Sequence, residues 1–292
     1  MSKNILVIGG AGFIGSHTSD ELTARGHKVK ILDQVESLWL KDSQEMIIGD
    51  YLDKDLLNKS MQDIDTVYNF AGIADIGEAS DLRQETIKTN IIGASMAIEA
   101  MINNNVKRLV YSSSMYVYSD KGSFYRASKQ AAEILIESYS EKFDIDYTIL
   151  RYGSLYGSRS QNWNGIKKFI VEILNENKVN YSGSGEEVRE YINVIDAAKL
   201  SVDVLNNDFI NKAVIITGQQ SLKVKDLFKI IFEILGKKEN VIYEHDIQIN
   251  DHYGNTPYRF SPKTAKKIVP HEFTDLGQGL LDLIEETHKE KE

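Results

Sequence analysis

The sequence predicts a doubly wound α/β fold, a parallel sheet with helices on both faces, joined to a smaller mixed α/β domain. Three observations carry this. Short β-branched runs alternate with amphipathic stretches through the first half, glycines spaced G-x-x-G-x-x-G follow the first run directly, and the rhythm changes after about Tyr156. Brief buried runs separated by helical patterns are the mark of βαβ units.

Taken in order, "NILVIG" reads as a strand, Ser16 to Arg25 as a helix, "KVKILD" and "EMIIGD" as strands, and Lys54 to Met61 as a helix. "DTVYNFAG" is the next strand, Thr86 to Asn103 a helix, "KRLVYSSS" a strand, Tyr125 to Phe143 a helix and "DYTILRYG" a strand. Beyond these, "NWNGIKKFIVEILNENK" reads as a helix and "YINVIDAAKLSVDVL" as an extended piece feeding another helix. "NKAVIITG" is a strand and Val224 to Leu235 a helix. Residues 1–157 form the expected first domain, to which the chain returns at about 190–217, and residues 158–292 form the smaller one.

The 292 residues are 42% hydrophobic, enough apolar material for a packed core. A net charge of −9 argues against general attraction to nucleic acid or an anionic membrane. The absence of cysteine excludes disulfides, thiolate metal sites and a cysteine nucleophile, and no metal site is expected. "ILVIGGAGFIG" follows a single lysine and is broken by glycines, so it reads neither as a signal peptide nor as a membrane span. A cytoplasmic location is expected, with the terminal "EETHKEKE" a solvated helix end or frayed tail.

In "ILVIGGAGFIGSH", Gly9, Gly12 and Gly15 lie between a strand and a helix. Such a turn lets the backbone approach a pyrophosphate and aims the amides of the helix start, at Phe13 and Ile14, toward it. The second strand ends at Asp33, eighteen residues past Gly15, where a carboxylate accepts hydrogen bonds from a ribose diol. No arginine follows in Gln34, Val35 and Glu36 to receive a 2′-phosphate, so a Rossmann-type domain binding NAD rather than NADP is expected. Asp50 in "GDYLD" is placed to reach the adenine amino group, with backbone contacts from Tyr51; capping of the next helix is the alternative for the aspartate.

Tyr125 and Lys129, four apart in "YRASK", share one face of a helix. A phenol with a reference pKa of ~10 is no base at neutral pH, but a neighbouring ammonium and a positive nicotinamide ring favour phenolate. Ser114, closing the preceding strand, is placed to donate to a substrate oxygen and guide its proton to Tyr125. With fifteen tyrosines in the chain the pair alone is weak; its position after a serine-terminated strand and a dinucleotide fingerprint makes it specific.

From "GGAGFIGSH" through "YNFAG", "SSSMYVY", "YRASK" and "RYGSLYGSR" to "GSGEEVREYINVIDAA", the chain resembles the extended short-chain dehydrogenase/reductase family, NAD-dependent nucleotide-sugar epimerases and dehydratases of the UDP-glucose 4-epimerase type. The resemblance covers roughly the first 200 residues. It implies that Ala71, Gly72 and Ser112 line the cofactor, that Asn90 supports the active-site helix beside it, and that Tyr152 and Gly153 lie near the nicotinamide. It further implies that Arg189 binds the substrate diphosphate, with Arg259 in "YRFSPK" a second candidate whose alternative is a solvated surface charge. A homodimer through two helices, one of them the Tyr125 to Phe143 segment, is also implied. Its Ala131, Ile134, Leu135 and Tyr139 equally suit a buried face.

Three departures qualify the resemblance. Only eleven residues lead from Ser114 to Tyr125, about half the family's usual proline-rich connection, which implies a sugar site that is more open or that holds the sugar differently. The dehydratase branch carries an Asp-Glu pair where this chain has Met115 and Tyr116, which disfavours a 4,6-dehydratase. Ser154 replaces an asparagine that contacts substrate. The expected function is NAD-dependent oxidation at C4 of a nucleotide-activated sugar, as a 4-dehydrogenase or 4-epimerase, with the short connection tilting toward release of the ketone. A non-catalytic NAD-binding regulator is the alternative from another class. Lys167 and Lys168, at a helix starting near Gly165, either face phosphate or form a solvated face.

Overall fold

The computed structural model describes residues 2–244 and 252–260. The reading of "EETHKEKE" and of the smaller domain beyond Phe260 lies outside the described residues. Within them the chain runs β1 (Asn4–Ile8), α1 (Phe13–Ala24), β2 (Lys28–Asp33), β3 (Gln44–Ile48), α2 (Lys54–Ser60), β4 (Thr66–Asn69), α3 (Ile76–Asp81), α4 (Arg83–Thr86), α5 (Gly93–Asn103), β5 (Arg108–Ser114), α6 (Ser123–Phe143) and β6 (Asp146–Tyr152). It continues as β7 (Ser154–Tyr156), α7 (Gly165–Glu176), β8 (Val179–Ser182), β9 (Val188–Asn193), α8 (Val194–Asp203), β10 (Lys212–Ile216), β11 (Ser221–Lys223), α9 (Val224–Ile234) and β12 (Val241–Glu244).

Seven strands form one parallel sheet in the order β10-β6-β5-β4-β1-β2-β3. Side chains alternate across it. Leu6, Ile8, Leu32, Val67 and Leu109 pack on the face covered by α2, α5 and α6. Ile5, Val7, Ile31, Tyr68 and Val110 pack on the face that carries Leu22 of α1 and Ala197 and Val202 of α8. Burial on both sides explains why these strands read as continuous apolar runs. The strand order reverses between β1 and β4, and the carboxyl ends of β1, β4 and β5 open there onto a shared crevice, the usual ligand position in open α/β sheets.

Strand β10 joins β6 at the edge of the large sheet, while β7, β9 and β11 form a second sheet and β8 pairs with β12. A third core of Ile173, Val179, Leu227, Phe228, Ile231 and Phe232 holds α7 and α9 together with β8. Short polar side chains start the helices: Asp53 accepts from the amides of Asp55 and Leu56, Asp75 from Glu78, Asn164 from Lys167 and Asn193 from Ile195. Each satisfies a backbone donor that the first turn leaves free.

Thr86 to Asn103 is not one regular helix. A π-helical segment, Ile87–Ile92, separates α4 from α5. Such wider turns recur at functional sites, and this one turns Asn90 into the interior at 2% exposure. Its amide oxygen accepts from Ile73 N at 2.8 Å, and its nitrogen donates to Ile73 O at 3.0 Å and Ser128 Oγ at 2.9 Å. One side chain thereby ties the loop after β4 to α6.

Behind β5 and β6 lies a buried ion pair. Glu133 on α6 accepts from Ser113 Oγ at 2.5 Å and from Arg151 Nε and Nη2 at 3.0 and 2.6 Å. Another Arg151 nitrogen donates to the Tyr118 hydroxyl. Removing one partner of such a pair leaves an uncompensated charge, which costs about 3–5 kcal/mol. Glu133→Ala is expected to lose stability of that order, read as a lowered urea midpoint at unchanged m-value.

Candidate active site

Gly9 takes φ +80°, and a Cβ there would stand 2.6 Å from Ala71 N, so the ends of β1 and β4 meet only because residue 9 has no side chain. A Cβ on Gly15 would stand 2.1 Å from Gly9 O, which fixes the close entry of α1 beneath the loop. Gly12 precedes α1 with no side-chain cap and no acid follows in the first turn. The positive end of this helix thus faces the crevice without a partner of its own. Asp33 Oδ2 accepts from Ala11 N at 2.9 Å, which holds its carboxylate across the loop at the end of β2. A bare helix start and a fixed carboxylate fit the pyrophosphate and the adenosine ribose of NAD.

The crevice has a volume of about 780 Å³. Among the residues expected at the site, Gly9, Gly12, Phe13, Ile14, Gly15, Asp33, Tyr51, Ala71, Gly72, Ser112, Ser114, Tyr125, Lys129, Tyr152, Gly153, Ser154 and Arg189 line it. β5 delivers Ser112 and Ser114 at its carboxyl end, and α6 lies against it with Tyr125 and Lys129 one turn apart. The Ser114 hydroxyl lies beside the Tyr125 phenol and favours its ionised form. Lys129 Nζ donates to Ser112 O at 2.9 Å and stands 5.0 and 5.9 Å from the ring centroids of Tyr111 and Tyr125.

Burial acts on these two groups in opposite senses. It pushes the Tyr125 phenol up to about 12, against the Ser114 hydrogen bond, because phenolate is poorly solvated there. It pulls Lys129 down to about 8, against the Glu133 carboxylate, because ammonium is the charged form. Near neutral pH the lysine therefore keeps most of its charge while the phenol, in the protein alone, holds its proton.

Three expected residues, Asp50, Asn90 and Arg259, stand apart from the lining of the crevice. Asp50 does not line it; its Oδ1 accepts from Leu52 N at 2.9 Å, the local turn role that competes with adenine binding. Asn90 is committed to Ile73 and Ser128, so it props the loop after β4 against α6, in keeping with the supporting role that the resemblance implies. Arg259 is exposed and outside the lining, as a solvated charge is. Lys167 donates to Ser160 O and Lys168 pairs with Glu172, so neither adjacent lysine faces the crevice. The Tyr152 hydroxyl is turned to Ser201 on α8.

Arg189 is 8% exposed; its Nη1 donates to Val188 O and Gly254 O, and its guanidinium lies 4.6 Å from the Tyr253 ring centroid. Sequence reasoning missed Tyr253 and His252, which arrive from more than 120 residues beyond Tyr125. It noted Tyr116 only as a missing acid, yet its ring lines the crevice beside Tyr125. Aromatic rings thus line the crevice on the side of the short connection.

A family model described as "NAD dependent epimerase/dehydratase family" matches residues 5–216. A Methanocaldococcus jannaschii protein named "Putative UDP-glucose 4-epimerase" is 31% identical over 264 residues, spanning 82% of this chain and 85% of that protein. UDP-N-acetylglucosamine 4-epimerase from Methanobrevibacter ruminantium, solved with UDP-N-acetylmuramic acid, is similar with a TM-score of 0.80 at 28% identity over 89% of this chain and 90% of that one. A mutant UDP-glucuronic acid 4-epimerase from Bacillus cereus, solved with UDP-4-deoxy-4-fluoro-glucuronic acid and NAD, gives 0.81 at 25% identity over 88% and 90%.

Two predictions follow from this geometry. Gly15→Ala must push the loop off α1, and NAD affinity measured by calorimetry is expected to fall at least about tenfold. For Lys129, a shift from 10.5 to about 8 means that holding the charged amine costs about 3 kcal/mol. The folded state binds fewer protons than the unfolded one between those values, so this group's contribution to stability rises as pH rises from about 8 to 10.5. Lys129→Met is expected to melt at a higher temperature than wild type near neutral pH, with the difference shrinking across that window.

Proposed function

The chain belongs to the NAD dependent epimerase/dehydratase family, and we propose that within it this enzyme oxidises the C4 hydroxyl of a UDP-sugar and returns the hydride to the opposite face, as a 4-epimerase. NAD is the cofactor of this family, and solved relatives hold it. The convergence of Ser114, Tyr125 and Lys129 at the mouth of the crevice carries the reading. Bound NAD supplies the hydride acceptor and a positive ring charge.

Tyr125 takes the proton of the sugar hydroxyl as base, and Ser114, beside the phenol, guides that proton by holding the same oxygen. Charge from Lys129, added to that of the nicotinamide, opposes the desolvation that keeps the isolated phenol protonated. Lys129 also holds the nicotinamide ribose, and Arg189 the diphosphate. Reversal uses the same groups: Tyr125 returns its proton as the carbon is reduced. Solved relatives named as 4-epimerases with UDP-sugars support both the substrate class and the inverted outcome, while other relatives are named as 4,6-dehydratases.

The eleven-residue connection favours a second reading, 4-dehydrogenase, in which the ketone leaves. Dehydration is disfavoured: Met115 is fully buried and the Tyr116 hydroxyl is bonded to His252, so neither position supplies a carboxylate beside Ser114. Exposed Ile134 and Phe143 on α6 support a homodimer through that helix, and we propose a cytoplasmic location.

Tyr125→Phe keeps the ring and removes the base. Its kcat on UDP-glucose or UDP-galactose is expected to fall roughly 10²–10⁴-fold, the usual worth of a positioned acid–base group, with NAD affinity retained. Equal kcat in both proteins would remove Tyr125 from the chemistry.

A further inference from the structure

Tyr116 follows Ser114 by two residues, and its amide donates to Ser114 Oγ at 3.3 Å. A turn through Gly122, at φ +96°, then brings the chain back into α6; a Cβ there would stand 2.6 Å from the Tyr116 ring. That ring meets Tyr125 edge-on with centroids 6.1 Å apart, and its opposite side packs on Tyr253 at 4.6 Å. The Tyr116 hydroxyl is bonded to His252 Nδ1, and that of Tyr253 lies near Ser154. Tyr253 is held on β9 through its neighbour: Gly254 O accepts from Val188 N at 2.8 Å and from Arg189 Nη1 at 3.1 Å. Two rings therefore span the distance from the reacting pair, Ser114 and Tyr125, to Arg189, where a sugar bound by its diphosphate has to lie.

We propose that Tyr116 and Tyr253 form the sugar-facing wall of the site in place of a longer loop, and that this wall retains the keto sugar between its oxidation and its reduction. The proposal rests on the C4 oxidation above and decides its outcome. Aromatic faces bury sugar C–H surface and exclude water while offering few directional bonds. The Tyr116 hydroxyl is already engaged by His252, so a ketone turning in the site breaks few hydrogen bonds to that ring. Contact area holds it, and the diphosphate anchor does not move.

The test compares wild type with Tyr116→Ala, Tyr253→Ala and Tyr116→Phe, using UDP-glucose, UDP-galactose and UDP, with thermal melting to confirm folding. Ketone released to solution is trapped with a carbonyl reagent and expressed relative to inverted alcohol. In either alanine variant this ratio is expected to rise roughly tenfold or more, and calorimetric affinity for UDP-glucose to fall roughly tenfold with that for UDP unchanged, the scale of one lost aromatic contact. Tyr116→Phe, which keeps the ring, is expected to restore the wild-type ratio. Alanine variants that release no more ketone and bind UDP-glucose as wild type does overturn the wall. A wild type that oxidises neither sugar overturns the C4 reading instead, and the UDP-glucose to UDP comparison still judges whether the rings face the sugar.

Discussion

A buried amine beside a buried phenol is the constraint on which the rest of this structure depends. Lys129 has almost no contact with water, one backbone acceptor in Ser112, and aromatic rings around it. Glu133, one turn further along α6, is its nearest compensating charge, and Arg151 already claims that carboxylate. Keeping an ammonium there costs stability, and the cost is tolerable only because the surrounding sheet and helix are held rigidly. Its return is a positive field at the position where a phenol has to lose a proton.

Much of the scaffold exists to hold that arrangement. β5 ends in the crevice with Ser112, Ser113 and Ser114, and the Ser113 hydroxyl also donates to Glu133 of the buried ion pair. Asn90, turned inward by a π-helical segment, fixes α6 to the loop after β4. Gly9 and Gly15 let β1, β4 and α1 approach closely enough that the cofactor cradle and the Ser114, Tyr125 and Lys129 group share one crevice.

The parallel sheet was legible in the sequence because its central strands are buried on both faces and so read as short apolar runs, "NILVIG" and "KRLVYSSS" above all. The glycine loop, Asp33 and the Tyr125 to Lys129 spacing were legible because their chemistry is local. What escaped was non-local or irregular. The three-residue strands β7 and β11 are too short for a periodic signal. The wall of the sugar side depends on Tyr253 meeting Tyr116 across 137 residues, which no local pattern records. Asp50 is ambiguous for the opposite reason: an aspartate after a strand satisfies its own turn as readily as it meets a ligand.

The central claim is that burial alone keeps Tyr125 protonated and that the positive charge assembled in the crevice makes it a base. The most direct measurement is an ultraviolet phenolate titration of wild type minus Tyr125→Phe, with and without saturating NAD. Without NAD the difference spectrum should show no ionisation below the ordinary tyrosine value of ~10; with NAD an ionising phenol should appear toward neutral pH. A difference spectrum that NAD leaves unchanged would contradict the account.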